Sequence, residues 1–243
     1  MILILIAFIN IVSIIYAAKN DRYDIADVLW GINILLFCLN FSDLNSLVFN
    51  SESLAVLFVL IWGLRLFIHI GLRFLKKKSQ DQRYVDLVKT SKNTLSKVSK
   101  VFLLQLVLAF LMSATFWNLE SIHISNWNVI AGCFIFAFGF AFEIASDNQL
   151  KKFVSNPENK GKICNKGLYS LSRHPNYFGE VVLWWGIWLI NGFSVIGLIT
   201  PILISFLIIK VSGIPMSERY LSKKNGFDEY AKKTNLFIPW KRK

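Results

Sequence analysis

Residues 172–180 read Ser-Arg-His-Pro-Asn-Tyr-Phe-Gly-Glu and lead straight into an apolar run that reaches Ile190. Each residue type in this cluster has a use. Arg173 is a fixed positive fork that matches a phosphate or a carboxylate. His174 can donate or accept a proton. Pro175 suits the first position of a helix. Asn176 and Tyr177 then fall in its first turn, where unpaired N–H groups and the positive end of the helix dipole attract anions. Gly179 permits close approach, and Glu180 is placed to orient the cations or to bind a ribose or an amide. An interfacial anchor accounts for Arg173 and Tyr177. A site for a polar, anionic cofactor at a membrane interface accounts for the whole cluster.

Other polar residues interrupt apolar runs, where a charge costs about 2.5–3.5 kcal/mol at the centre of a span. Arg65 and His69 are four apart and share a helix face, as do Glu143 and Asp147. Asp27 and Trp30 lie near one end of another run. A structural reading pairs Arg65 with Glu143 or Asp27, and lets Asp27, Arg73 and Asp147 reach the interface. A functional reading notes that all of them lie toward one membrane side, as the 172–180 cluster does, and makes them the wall of a pocket. Cys38, Cys133 and Cys164 show no Cys-x-x-Cys spacing, so neither a disulfide framework nor a zinc site is expected. His123 is expected to be solvated, and no metal site is expected from the remaining histidines. Neither Gly-x-Gly-x-x-Gly nor Gly-x-Ser-x-Gly occurs in the required context. Gly132 and Gly139 are seven apart on one helix face and suit close helix packing.

The elements that position these residues are membrane spans. The chain is 54% hydrophobic and only 17% charged, against about a quarter charged in soluble proteins. Apolar runs cover roughly 2–18, 25–42, 53–74, 101–118 and 127–146. The last apolar stretch, 179–212, contains Asn191-Gly192, a turn signal, so it is either one kinked span or a hairpin of two. Charge decides. Nine Lys and Arg fall in 73–100, six in 147–178 and eight in 213–243, while 43–52, 119–126 and 191–194 have none. Cytoplasmic loops are the basic ones, and only seven spans put every basic segment on one side. The expected fold is therefore all-α and integral to the membrane. It has seven transmembrane helices, the last two about 179–192 and 194–212, with the N-terminus outside and a cytoplasmic tail of 213–243, in one domain over 1–243. The first run has its positive residues after it and Tyr16 near its end, so it reads as a retained span rather than a signal peptide. The net charge of +12 then marks a cytoplasmic face toward anionic lipid headgroups, not nucleic acid. Residues 84–98 mix apolar and basic positions at helical spacing and suggest one interfacial helix. With no further domain evident, a bacterial inner membrane is the expected location. Oligomeric state is left open.

The stretch GLYSLSRHPNYFGEVVLWWG, residues 167–186, resembles the signature of a membrane family related to the C-terminal domain of steroid 5-alpha-reductases, in its domain-of-unknown-function branch. Asp27–Gly31, Leu60–Arg73, Asp81–Tyr84, Phe142–Leu150, Val211–Leu221 and Phe227–Trp240 resemble its other blocks, in order. Isoprenylcysteine carboxyl methyltransferases and phospholipid methyltransferases carry a similar Arg-His-Pro-x-Tyr stretch and use S-adenosylmethionine. The steroid and sterol reductases use NADPH. The resemblance implies an NADPH-dependent oxidoreductase acting on a C=C bond conjugated to a carbonyl in a steroid-like or other lipophilic substrate. It makes Asp147, Lys151 (or Lys152), Arg173, His174, Asn176, Tyr177, Glu180, Glu218, Tyr220 and Tyr230 the cofactor-site candidates. The 5-alpha-reductases use a Glu/Tyr pair from early helices to polarise the carbonyl. No such pair is evident here, and Asp27, Arg65 and His69 stand as catalytic candidates. The alternatives are a methyltransferase using S-adenosylmethionine and a non-catalytic lipid-binding membrane protein.

Overall fold

The computed structural model describes residues 1–42, 50–77, 79–117, 126–192 and 194–240. His123 and most of segments 43–52 and 119–126, which hold no Lys or Arg, lie outside the described residues. The described residues form helices, and no strand occurs among them. We number them α1 (Ile2–Asn20), α2 (Ile25–Phe41), α3 (Ser51–Lys76), α4 (Gln82–Val88), α5 (Thr94–Phe116), α6 (Asn126–Ser155), α7 (Pro175–Ile190), α8 (Ile196–Leu221) and α9 (Phe227–Lys233). Five of them, α1, α3, α5, α6 and α8, are long and apolar enough to cross a membrane. The chain is an integral membrane protein. Helices α2 and α7 are shorter, at 17 and 16 residues.

Caps explain where several helices begin. The Asn50 carboxamide accepts from the Ser53 N–H at 2.8 Å and opens α3. Asp81 accepts from the Arg83 N–H at 3.1 Å and opens α4. Asn93 accepts from the Ser96 N–H at 2.9 Å. That cap splits the single interfacial helix expected over 84–98 into α4 and the start of α5, which enters its apolar run seven residues early. Asn191-Gly192 makes the turn its sequence signals, with Gly192 at φ 84°, so two helices flank it rather than one kinked helix. Both α6 and α8 outrun their expected ends. α6 reaches Ser155, carrying Asp147 and Lys151 on its last turns. α8 continues past 212 to Leu221 through a π-turn at Leu207–Val211, so Glu218 sits on a helix and not in the tail.

The chain forms two compact units. The first comprises Met1–Ser125 and Ile190–Thr200. Here Gly31 of α2 and Gly63 of α3 touch backbone to backbone, and a Cβ on either would stand 3.0 Å from the other's carbonyl oxygen. Asn10 and Asn33 exchange hydrogen bonds at 2.9 and 3.3 Å between α1 and α2. Ala17, Tyr23, Ala26, Tyr84, Val88, Val101 and Phe102 form a buried cluster that seats α4. Asn191 donates to the Thr115 carbonyl at 2.7 Å, and the Thr200 hydroxyl donates to that of Met112 at 3.0 Å. These bonds satisfy backbone groups where α5 ends in a 3-10 turn.

The second unit comprises Asn126–Leu189 and Pro201–Lys243. Its axis is the contact of α6 with α7, made through glycines as Gly139 suggests. A Cβ on Gly139 would lie 2.7 Å from the Gly179 carbonyl, and one on Gly186 would lie 2.8 Å from that of Gly132 and 2.6 Å from the Phe136 nitrogen. Replacing Gly186 with alanine therefore forces backbone apart. We expect Gly186→Ala to lower stability by about 1–3 kcal/mol, read as a fall in melting temperature of the detergent-solubilised protein. An unchanged melting temperature would contradict this packing.

Candidate functional site

In the second unit, Pro175 starts α7 and so fixes the direction of the residues just before it. Arg173 and His174 both reach Glu218 on the last turns of α8. The Arg173 guanidinium donates to one carboxylate oxygen of Glu218 at 2.8 Å, and His174 Nε2 meets the other at 2.7 Å. The His174 ring is buried and stacks on Tyr177, with centroids 5.6 Å apart. The Tyr177 hydroxyl pairs with Ser217 at 3.1 Å. Asn176, one residue along, donates to Asp147 of α6 at 3.2 Å. Six of the candidates named from the sequence thus meet around the start of α7. Glu180 is half-buried on the same helix and has contacts of its own.

The turn before α7 is held by the C-terminal strap. The Ser172 hydroxyl donates to the Phe237 carbonyl at 2.7 Å and receives the His174 N–H at 3.1 Å. The Arg173 N–H donates to the Asn235 carbonyl at 2.9 Å. Tyr230 donates its hydroxyl to the Tyr169 carbonyl at 2.7 Å and so ties the strap to this turn. Tyr169 is itself buried. Burial, and then the charge of Asp147, push its hydroxyl far above the ordinary tyrosine range, so it keeps its proton. Two candidates lie apart from the group. Lys151 is exposed, as is Lys152. Tyr220 is 66% exposed with Lys224 over its ring, because two helical residues beyond Glu218 means about 200° of rotation. Ser172, Ser217 and Tyr169 were not named from the sequence, although Ser172 and Tyr169 stand inside the 167–186 stretch.

The first unit holds its own polar cluster. The Asp27 carboxylate accepts from Arg83 at 2.9 Å, from Gln105 at 3.2 Å and from the Tyr84 hydroxyl. Gln105 also donates to the Tyr84 oxygen at 2.9 Å. The Tyr84 hydroxyl is held well above its ordinary range, first by burial and then by the Asp27 charge. Next to it, Arg22 pairs with Asp24 at 2.9 Å, and Arg73 and Arg83 both reach Asp81, at 2.9 and 3.2 Å. Of the three catalytic candidates, Asp27 is drawn into this cluster by Arg83 and Tyr84. Arg65 is half-buried and His69 exposed on α3, and both have contacts. Gln105, a polar residue inside an apolar run, was the overlooked signal. Among the described residues no group of three or more His, Cys, Asp or Glu is placed to hold a metal ion, and all three cysteines are free thiols.

These blocks of residues run through the whole length that a known family matches. The chain belongs to the family described as "Protein of unknown function (DUF1295)". The match covers residues 14–234. Among curated proteins, the chain is 37% identical over 75 residues to "Probable O-methyltransferase ustE" of Ustilaginoidea virens, covering 31% of this chain and 26% of that protein. It is 34% identical over 71 residues to "Steroid 5-alpha-reductase DET2" of Gossypium hirsutum, covering 29% of this chain and 27% of that protein. The matched segments thus span about a quarter of each relative's length. No solved structure matches the chain. The resemblance read from the motif blocks is thereby confirmed at the level of the family.

The Asp81 carboxyl gives a pH test of the first unit. Burial pushes it up, but the Arg83 N–H, the Arg83 guanidinium and Lys77 outweigh burial and hold it at about 2. A folded value below the unfolded one stabilises above about pH 4, and that stabilisation is lost as pH falls through the folded value. Thermal melts should therefore lose stability between about pH 4 and pH 2. Asp81→Asn should be less stable at neutral pH and lose less across that window. Identical pH profiles for the two proteins would contradict the assignment.

Proposed function

We propose that the protein is a membrane-embedded, NADPH-dependent reductase of a C=C bond conjugated to a carbonyl in a lipophilic, steroid-like substrate. The observation that carries this reading is the grouping of Arg173, His174, Tyr177 and Glu218 with Asp147 and Asn176 at the start of α7. Its donor set fits the cofactor. Arg173 and the first turn of α7 suit a phosphate, Asp147 and Asn176 suit the hydroxyls or amide of a nucleotide, and the Nε of Arg173 is buried with no hydrogen-bond partner. Lys151 or Lys152 is the candidate for a 2′-phosphate, and Glu180, Tyr220 and Tyr230 complete the set of cofactor-site candidates. These residues would hold NADPH, whose chemistry would be hydride transfer to the β-carbon of the enone. A proton at the α-carbon completes the reduction. The chain must also supply a donor that steadies charge at the carbonyl oxygen. Arg65, His69 and Asp27 are the candidates.

The methyltransferase relative supports a second reading, in which the same group holds S-adenosylmethionine. That cofactor also presents an adenosine and an anionic group, its carboxylate. In either case the bilayer and its anionic headgroups are the proposed surroundings, in a bacterial inner membrane. We further propose seven spans in one transmembrane domain over 1–243, with α2 and α7 as the two short ones, the N-terminus outside and the C-terminus cytoplasmic. The distribution of Lys and Arg supports this arrangement. Reporter fusions should place residue 90 and residue 240 on the same side. Opposite sides would overturn the arrangement.

The functional test is binding by the purified full chain in detergent. Wild type should bind NADPH, and Arg173→Ala should bind it at least tenfold more weakly, with a thermal melt to confirm folding. Selective binding of S-adenosylmethionine would replace the reductase reading with the second one. Binding of neither would overturn the cofactor site.

A further inference from the structure

Among the buried side-chain groups of the second unit that make no hydrogen bond within the described residues are the Tyr169 hydroxyl, the Arg173 Nε and the Thr234 hydroxyl. They fall along one seam. Tyr169 and Arg173 belong to the turn before α7, and Thr234 belongs to the strap that crosses it. The backbone of this seam is well satisfied. Arg173 N–H meets Asn235 O, Trp240 N–H meets Leu171 O at 3.3 Å, and Ser172 pairs in a bridge with Asn235. Tyr169 is 5% exposed and Thr234 2%. Buried polar groups in folded proteins nearly always find partners, so three such atoms in one seam call for an explanation beyond packing.

Their chemistry is alike. A guanidinium N–H, a phenol and an aliphatic hydroxyl can all donate. Two hydroxyls that can donate, beside a guanidinium N–H that can only donate, suit an oxyanion. We propose that Tyr169 and Thr234 join Arg173 as hydrogen-bond donors to the anionic group of the cofactor, which makes the two hydroxyls positioning residues. This rests on the cofactor site proposed above. The anion is a phosphate if the cofactor is NADPH and a carboxylate if it is S-adenosylmethionine. These atoms are enclosed by the protein, so a ligand's acceptor meets them when the strap parts from the turn.

The test uses Tyr169→Phe and Thr234→Val in the detergent-purified full chain, titrated with NADPH and with S-adenosylmethionine. Each variant removes a hydroxyl that has no partner in the protein alone. The melting temperature without cofactor should therefore stay level or rise. The Kd for whichever cofactor wild type binds should rise about tenfold per variant, or ~1.4 kcal/mol. Competition by inorganic pyrophosphate marks a phosphate as the anion, and competition by methionine marks a carboxylate. Unchanged Kd values in both variants, while Arg173→Ala still weakens binding, would overturn this inference and leave the site standing. A clear fall in melting temperature would also overturn it, by showing that the hydroxyls act structurally. Failure of wild type to bind either cofactor would remove the site and this inference together.

Discussion

A carboxylate shared between a guanidinium and an imidazole governs the second unit. Glu218 gives one oxygen to Arg173 and the other to His174, and so ties the end of α8 to the start of α7. His174 is nearly enclosed, so its ring needs a fixed acceptor. Removing one member of such a group leaves its partners buried and unpaired, which costs more than the intact group contributes. The geometry of α8 follows from this. Glu218 is within reach because the helix continues past 212, and the π-turn at Leu207–Val211 inserts a residue that rotates everything after it by about 100°. The stack of Tyr177 on His174 and the pairing of Tyr177 with Ser217 reinforce the same junction.

The first unit answers the same constraint with different residues. In an apolar medium charges persist in pairs with their remaining donors satisfied. Asp24, Asp27 and Asp81 each receive an arginine, and Asp27 also receives Tyr84 and Gln105. Arg22 comes from the turn between α1 and α2, and Arg83 from the first turn of α4. The acid residues therefore set how α4 lies against the ends of α2 and α5, and Tyr84 and Val88 complete that seat in the apolar cluster.

Much of this was legible in the sequence, for identifiable reasons. Long apolar runs give helices whose length alone declares them, and Asn191-Gly192 declares its turn because few other residue pairs accept its backbone angles. The Arg173–Tyr177 cluster declared itself by its density. What sequence could not show was pairing. Glu218 is 44 residues from His174, and Asp27 is 56 from Arg83. Charge alone offered Arg65 as an equal partner for Asp27. Helix ends were also misjudged where polarity was taken as a stop, since α6 and α8 keep their backbone bonds well beyond the apolar run and use the extra turns to carry Asp147 and Glu218. Tyr169 and Thr234 gave no signal at all, since a tyrosine and a threonine near an interface are ordinary until their hydroxyls are found enclosed.

A reductase and a methyltransferase each match about 30% of the chain, which agrees with the cofactor site proposed at the start of α7. NADPH and S-adenosylmethionine share an adenosine and an anionic group, and they differ at the reacting end. A grip on the anion is indifferent to that end, because the cofactor carries the chemistry and the protein supplies its binding and orientation. Selection between the two must then come from groups that meet the substrate. Hydride transfer to an enone demands a donor at the carbonyl oxygen, where charge develops. Methyl transfer demands a nucleophile in line and no such donor.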